Sequence, residues 1–188
     1  MNHVSLEQAI ECLKQGDVLA YPTEAVWGLG CDPFQQTAFE KILQLKQRPI
    51  EKGVILLSES IARVEPLLAR LDADIRQRVL ASWQYQGQQQ RATTWLLPIT
   101  DEIPTWIYGD HDRVAVRVTQ HPLCQQLCRY FDHFIVSTSA NPAGLEPART
   151  AEQVVDYFPE IAILAGKLGS SPEPSRILDA VTGLVVRG

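Results

Sequence analysis

No stretch of this 188-residue chain approaches the ~20 consecutive apolar residues that a membrane-spanning helix needs. A membrane is therefore not an expected partner. The N-terminal MNHVSLEQAIECLKQG lacks a long apolar core, so it does not read as a secretory signal, and a cytoplasmic location is expected. Cysteine is scarce: Cys12, Cys31, Cys124 and Cys128. In a reducing cytosol these are expected to be free, buried thiols. Cys124 and Cys128 stand four apart on an expected helix, where they can share a face. With no His or Cys at metal-ligand spacing nearby, core packing is the expected role.

Several site types are missing as well. There is no G-x-x-x-x-G-K-[ST] loop. Gly28-Leu29-Gly30 lacks the third glycine of a dinucleotide fingerprint and the helix that would follow it. There is no G-x-S-x-G elbow and no H-E-x-x-H. The four histidines, at 3, 111, 121 and 133, form no recognisable pair. No low-complexity tract or internal repeat is present. A net charge of −5 argues against a basic nucleic-acid-binding domain, but leaves room for a local basic patch.

What is present suits one soluble α/β domain over residues 1–188: 45% hydrophobic, 21% charged and large enough to bury a core without staples. Ser5-Leu6-Glu7-Gln8 has the form of a capping box opening a helix that Gly16 ends. Strands are expected at 18–21, 53–57, 93–97, 113–118, 134–136, 161–164, 176–178 and 184–187. Helices are expected at 37–45, 61–71, 75–83, 122–131 and 151–157. Trp27 and the glycines after it are expected to pack and to turn. Strands and helices alternate without a linker, which predicts a mixed sheet with flanking helices.

Three segments could carry chemistry. Lys46-Gln47-Arg48-Pro49-Ile50-Glu51-Lys52 places three cations in seven residues after a helix. It reads either as a solvated cationic turn or as a phosphate site, with Arg as a bidentate clamp and Lys as a point charge. Ser137-Thr138-Ser139-Ala140-Asn141 follows an apolar strand, and alternation sends Ser137, Ser139 and Asn141 to one side. Ligands of open α/β sheets bind beyond strand ends, but Ser and Asn also favour plain turns. Val114-Ala115-Val116-Arg117-Val118 buries one arginine, which needs an anion beside it. A structural carboxylate and a ligand both satisfy that need.

The segments YPTEAVWGLGCDP (21–33), LKQRPIEKGVILLS (45–58), VAVRVTQHPL (114–123), STSANPAG (137–144) and PSRILD (174–179) resemble, in order, those of the threonylcarbamoyl-AMP synthase family of TsaC/YrdC type. The resemblance implies a twisted mixed sheet around a concave basic cavity. It implies that L-threonine, bicarbonate and ATP, with Mg2+, become L-threonylcarbamoyladenylate and pyrophosphate. It also implies a separate transferase complex that uses the adenylate to modify adenosine 37 of tRNA, with tRNA itself a candidate direct partner. Matched residue by residue, Lys46, Arg48 and Lys52 would contact the triphosphate and the carbamate. Ser139 and Asn141 would bind phosphate oxygens, and Ser137 would lie beside the threonine. Arg117 would pair with the threonine carboxylate, and Thr23 would shape its pocket. Ser175, Arg176 and Arg149 would close over the nucleotide, while Asp179 could serve only as a cap or ion-pair partner.

One departure stands out. The family's Trp-Pro-Gly-Pro turn is replaced here by Trp83-Gln84-Tyr85-Gln86-Gly87 and a glutamine-rich insertion, so the stiffness that Pro and Gly give that turn is lost. Thr94 takes the place of the family's nucleotide-side threonine. Two other readings compete. One is a non-catalytic module that binds double-stranded RNA or tRNA, or serves ribosome maturation, through backbone contacts. The other is a relative that handles carbamoyl-adenylate in hydrogenase maturation, whose further domains 188 residues would not hold.

Overall fold

The computed structural model describes residues 2–49, 51, 53–84 and 91–188. Among them, ten strands and seven helices alternate: β1 His3–Val4, α1 Leu6–Lys14, β2 Leu19–Pro22, β3 Trp27–Gly30, α2 Gln36–Lys46, β4 Ile55–Ser58, α3 Ile61–Leu68, α4 Ala73–Gln84, β5 Thr93–Pro98, α5 Thr105–Tyr108, β6 Arg113–Val118, α6 Pro122–Phe131, β7 Ile135–Ser139, α7 Ala151–Tyr157, β8 Ala162–Leu164, β9 Arg176–Asp179 and β10 Val185–Arg187. The strands form one mixed sheet in the order β1-β8-β2-β3-β7-β4-β6-β5-β9-β10.

Local chemistry sets several boundaries. The Ser5 hydroxyl and the Gln8 side chain close a reciprocal capping box at α1. α2 ends where Gln47 enters the left-handed region at φ 50°. At α6 the His121 ring caps the Cys124 N–H and Pro122 sits in the first turn, where its missing N–H is harmless. Cys124 and Cys128 share the buried face of α6 and pack with Tyr21, Leu57 and Ile135. The order β6, α6 and α7 matches the periodicity to the residue. β1, β3 and α5 do not appear in the sequence reading.

The segment read as packing and turning is a strand. Trp27–Gly30 pairs antiparallel with β2, with Leu19 opposite Gly30 and Tyr21 opposite Gly28. Gly30 is required by its neighbours and not by a turn, while Gly28 sits close against Thr23 and Tyr21. A Cβ on Gly30 would fall 2.4 Å from the Val136 carbonyl and 2.7 Å from the Tyr21 ring. Tyr21 lies across that space, its hydroxyl donating to the Val136 carbonyl at 3.1 Å.

Register divides the sheet's two faces. Partners Ala20–Leu29, Leu56–Val136, Leu56–Val116 and Trp95–Val116 share one face. These residues all join the larger core, together with Phe39, Val64 and Val79 of α2, α3 and α4. Partners Tyr21–Gly28, Leu57–Ile135, Ile55–Ser137 and Ile55–Ala115 lie on the other face. There α1 and α6 cover only one end, through Leu13, Leu127, Tyr21, Leu57 and Ile135. The rest of that face is left for a cavity.

Candidate active site

The uncovered face forms the floor of a cavity of about 460 Å3. β6 is a repeating unit of its chemistry. Val114, Val116 and Val118 point to the core, whereas Arg113, Ala115 and Arg117 line the cavity. From β7 come Ser137 and Ser139, which share their face with Gly28 of β3 and Ile55 of β4. Small residues on the floor leave room for a ligand while keeping hydroxyls within its reach.

Five guanidinium groups line the walls: Arg48, Arg91, Arg113, Arg117 and Arg187. Three face carboxylates: Arg113 faces Asp179 at 2.9 Å, Arg91 faces Glu173 at 2.8 Å and Arg117 faces Glu24 at 3.5 Å. Arg48 donates to the Gly53 carbonyl at 2.9 Å, and burial lowers the pKa of its guanidinium. Arg187 donates to the Ser175 carbonyl at 3.0 Å. Its pKa is also lowered, first by burial and then by the charges of Arg117, Arg91 and Arg48. Guanidinium groups that repel one another in a partly desolvated space create a demand for an anion.

Arg117 is 7% exposed, and its Nη2 lies 3.5 Å from Glu24 Oε2. It therefore has the structural carboxylate that a buried arginine requires. Its Nε finds no hydrogen-bond partner among the described residues, and neither does Glu24 Oε2. The other oxygen of Glu24 accepts from the Thr119 hydroxyl at 2.7 Å and the Gln120 N–H at 3.1 Å. Burial pulls the Glu24 carboxyl upward, but Arg117 and these hydrogen bonds outweigh it and hold its pKa below the ordinary value.

The structure brings Thr23, Arg48, Arg117, Ser137, Ser139 and Ser175 together on the cavity wall. The Thr23 hydroxyl donates to the Val26 carbonyl at 2.7 Å and shapes the β2–β3 turn. Lys46, Thr94, Asn141, Arg149 and Arg176 are not among the residues that line the cavity. Lys46 is 3% exposed at the end of α2. Its ammonium donates to the Ser139 carbonyl, and at 2.8 Å to the Asn141 carbonyl. Burial, then the charge of Arg48, lowers its pKa to about 8. The Asn141 amide donates to the Pro142 and Leu145 carbonyls at 3.0 and 2.7 Å. The fully buried Thr94 shares a 2.8 Å hydrogen bond with the Ser175 hydroxyl. Arg149 donates to the Pro172 carbonyl at 3.3 Å, and Arg176 to the Thr93 hydroxyl at 3.0 Å. Asp179 bonds Arg113 and the Val181 and Thr182 N–H groups, which is the cap and ion-pair role. Lys52 and residues 85–90 of the glutamine-rich insertion lie outside the described residues.

Glu24, Arg91, Arg113 and Arg187 were not singled out from the sequence. Arg187 had a signal. Val185-Val186-Arg187 sets one cation after an apolar pair, much as β6 sets Arg117 among valines. Arg91 follows a run of glutamines that gives no such contrast, and Glu24 reads as one half of a polar pair in a turn after Pro22.

A family model described as telomere recombination, Sua5/YciO/YrdC, matches residues 11–187. A protein of Acinetobacter baylyi named threonylcarbamoyl-AMP synthase is 60% identical over 185 residues, 97% of this chain and 96% of its own length. One of Hydrogenovibrio crunogenus with the same name is 48% identical over 95% of both chains. Among solved structures, P. abyssi Sua5 complexed with L-threonine superimposes with a TM-score of 0.82 at 25% identity. That match covers 94% of this chain and 53% of the Sua5 chain, so this chain spans about half its length. E. coli YciO gives a TM-score of 0.81 at 24% identity, over 98% of this chain and 93% of its own, a likeness of fold.

Proposed function

The chain belongs to the Sua5/YciO/YrdC family, and from that premise we propose that it makes L-threonylcarbamoyladenylate from L-threonine, bicarbonate and ATP. The observation that carries this reading is the cavity's chemistry in a chain whose relatives bear the synthase name: five arginines and small hydroxyls on a glycine-lined floor. The threonine ammonium gives up a proton, and the free amine adds to bicarbonate with loss of water to leave a carbamate. A carbamate oxygen then attacks the α-phosphorus of ATP and pyrophosphate departs, which makes the enzyme a nucleotidyltransferase.

None of these steps needs a protein nucleophile. They need two polyanions held together against their repulsion, and charge neutralised on phosphoryl oxygens, which is catalysis by positioning and electrostatics. Arg48 and Arg187 are proposed to take the triphosphate and the carbamate, with Lys52 as an added charge. Ser139 and Ser175 donate to phosphate oxygens. Thr23, Arg117 and Ser137 hold the threonine. Lys46 and Asn141 act one layer back, fixing the end of β7 so that Ser139 is presented. Thr94, Arg149 and Arg176 do the same for residues 172–176.

Mg2+ is proposed to enter with ATP as its counter-ion. Among the described residues no three His, Cys, Asp or Glu side chains group to cage an ion. Carried by the ATP phosphates, Mg2+ would neutralise part of their charge, its usual part at nucleotide sites. The adenylate passes to a transferase complex for tRNA modification, in a cytoplasmic setting.

The test is to incubate the protein with ATP, Mg2+, bicarbonate and each amino acid in turn, and to search for the adenylate by mass spectrometry. Product with L-threonine, dependent on bicarbonate, is expected. Salt-sensitive RNA binding without product under any condition would instead favour a non-catalytic module.

A further inference from the structure

The cavity is rich in donors and poor in acceptors. Among the described residues two carboxylate side chains line it, those of Glu24 and Glu173. Glu173 is 61% exposed and bonded to Arg91. Glu24 is buried, and its Oε2 has no hydrogen-bond partner, although Arg117 Nη2 stands 3.5 Å away. A buried, ionised oxygen left open in this way is rare in folded proteins and calls for an explanation. The Nε of Arg117, an open donor beside it, calls for the same.

Glu24 is also held firmly. Its Oε1 is tied to Thr119 and Gln120 at the end of β6. Its carbonyl accepts from the Ser171 N–H at 3.0 Å, and the Thr23 carbonyl accepts from the Gly169 N–H at 2.9 Å. Gly169 packs so closely that a Cβ there would lie 2.8 Å from the Glu24 carbonyl oxygen. The open oxygen therefore keeps one direction, as a recognition group must.

We infer that Glu24 is the second pole of the amino-acid site: its Oε2 accepts from the substrate's α-amine, opposite the α-carboxylate already given to Arg117, whose open Nε faces the same space. The inference rests on the threonine-dependent reading above and adds a binding residue to it. Among so many arginines an ammonium group needs one fixed negative charge, and Glu24 supplies it. After carbamoylation the nitrogen keeps one N–H, so the same oxygen can hold the carbamate in place for attack on phosphorus. Glu24 is adjacent to Thr23, so the amine and hydroxyl of threonine would be read by consecutive residues.

The experiment is calorimetric titration with L-threonine, with (R)-3-hydroxybutanoate, which lacks the amine, and with L-threoninol, which lacks the carboxylate. Wild-type protein should bind L-threonine ~10–100-fold more tightly than the amine-free acid, the range for a hydrogen bond to a charged group. Glu24→Gln should shrink that preference to ~3-fold or less while leaving the preference over L-threoninol unchanged. A Glu24→Gln protein that keeps the wild-type preference for the amine overturns the inference. One that loses both preferences together also overturns it, because Glu24 would then act only through Arg117. If the variant does not fold, the wild-type comparison decides alone: equal binding of the amine-free acid overturns the inference. Wild-type protein that binds no L-threonine overturns the functional reading itself, whereas threonine binding without amine discrimination overturns this inference alone.

Discussion

Replacing Arg187 by alanine should separate catalysis from folding. Arg187 ends β10, whose neighbours Leu184, Val185 and Val186 are 60–68% exposed, so little core depends on it. It is tied to the fold by a hydrogen bond to the Ser175 carbonyl, worth about 0.5–1.5 kcal/mol. Removing a charge that faces Arg117, Arg91 and Arg48 offsets part of that loss. Thermal stability should therefore fall by only ~1–4 °C for a chain of this length. The ligand side is different. A hydrogen bond from a guanidinium to a charged phosphate or carbamate oxygen contributes about 1.5–3 kcal/mol. Its loss predicts a fall in kcat/KM of ~10–150-fold, at about 1.4 kcal/mol per tenfold. The assay is pyrophosphate release dependent on threonine and bicarbonate, run beside a melting curve. Arg187→Lys should recover part of the activity, because the charge returns without the planar fork. Activity of Arg187→Ala within ~3-fold of wild type, with the melt unchanged, would refute the assignment of this arginine to the anion site.

Arg48→Ala should lower threonine-dependent ATP cleavage by ~10²-fold or more while the protein stays folded, since it removes a preorganised cation from the reacting end; near-normal activity with normal ATP affinity would count against the site. Gly30→Ala should cost about 2–3 kcal/mol, a drop of roughly 4–12 °C in Tm, because its Cβ would strike the Val136 carbonyl and the Tyr21 ring. Asp179→Asn tests a pH window. Burial raises the Asp179 carboxyl, but the Thr182 N–H and Arg113 outweigh it and hold its pKa below the ordinary 3.8. A depressed carboxyl stabilises the fold above its unfolded pKa and loses that contribution as pH falls through the folded one. The variant should thus be less stable near neutrality and show a flatter loss of stability below about pH 4 in denaturant titrations.

How legible the molecule was depended on how local each cause is. α6 was readable because His121, Pro122 and the apolar spacing of Cys124, Leu127 and Cys128 all act within ten residues. β6 was readable because strict alternation has one meaning in a half-covered sheet. β3 was not. Trp27-Gly28-Leu29-Gly30 has turn composition, and its glycines make sense only once Tyr21 of the next strand lies over them. α5 is four residues long and its Ile107 is buried by contacts far along the chain, too few positions for a period to show.

The family, the alternation of strands and helices and the cationic character of the site were legible in the chain alone, because ordered motifs, caps and periodicities are local properties. Tertiary structure decided which side chains share the cavity. Register put Arg113, Ala115 and Arg117 on the face with Ser137. Burial turned Lys46 inward to the end of β7. Chain closure brought Arg187 beside Arg48, and the β2–β3 turn set Glu24 against Arg117. These pairings join residues up to 139 positions apart (187 − 48), and contacts at that separation exist only once the sheet has closed the distance.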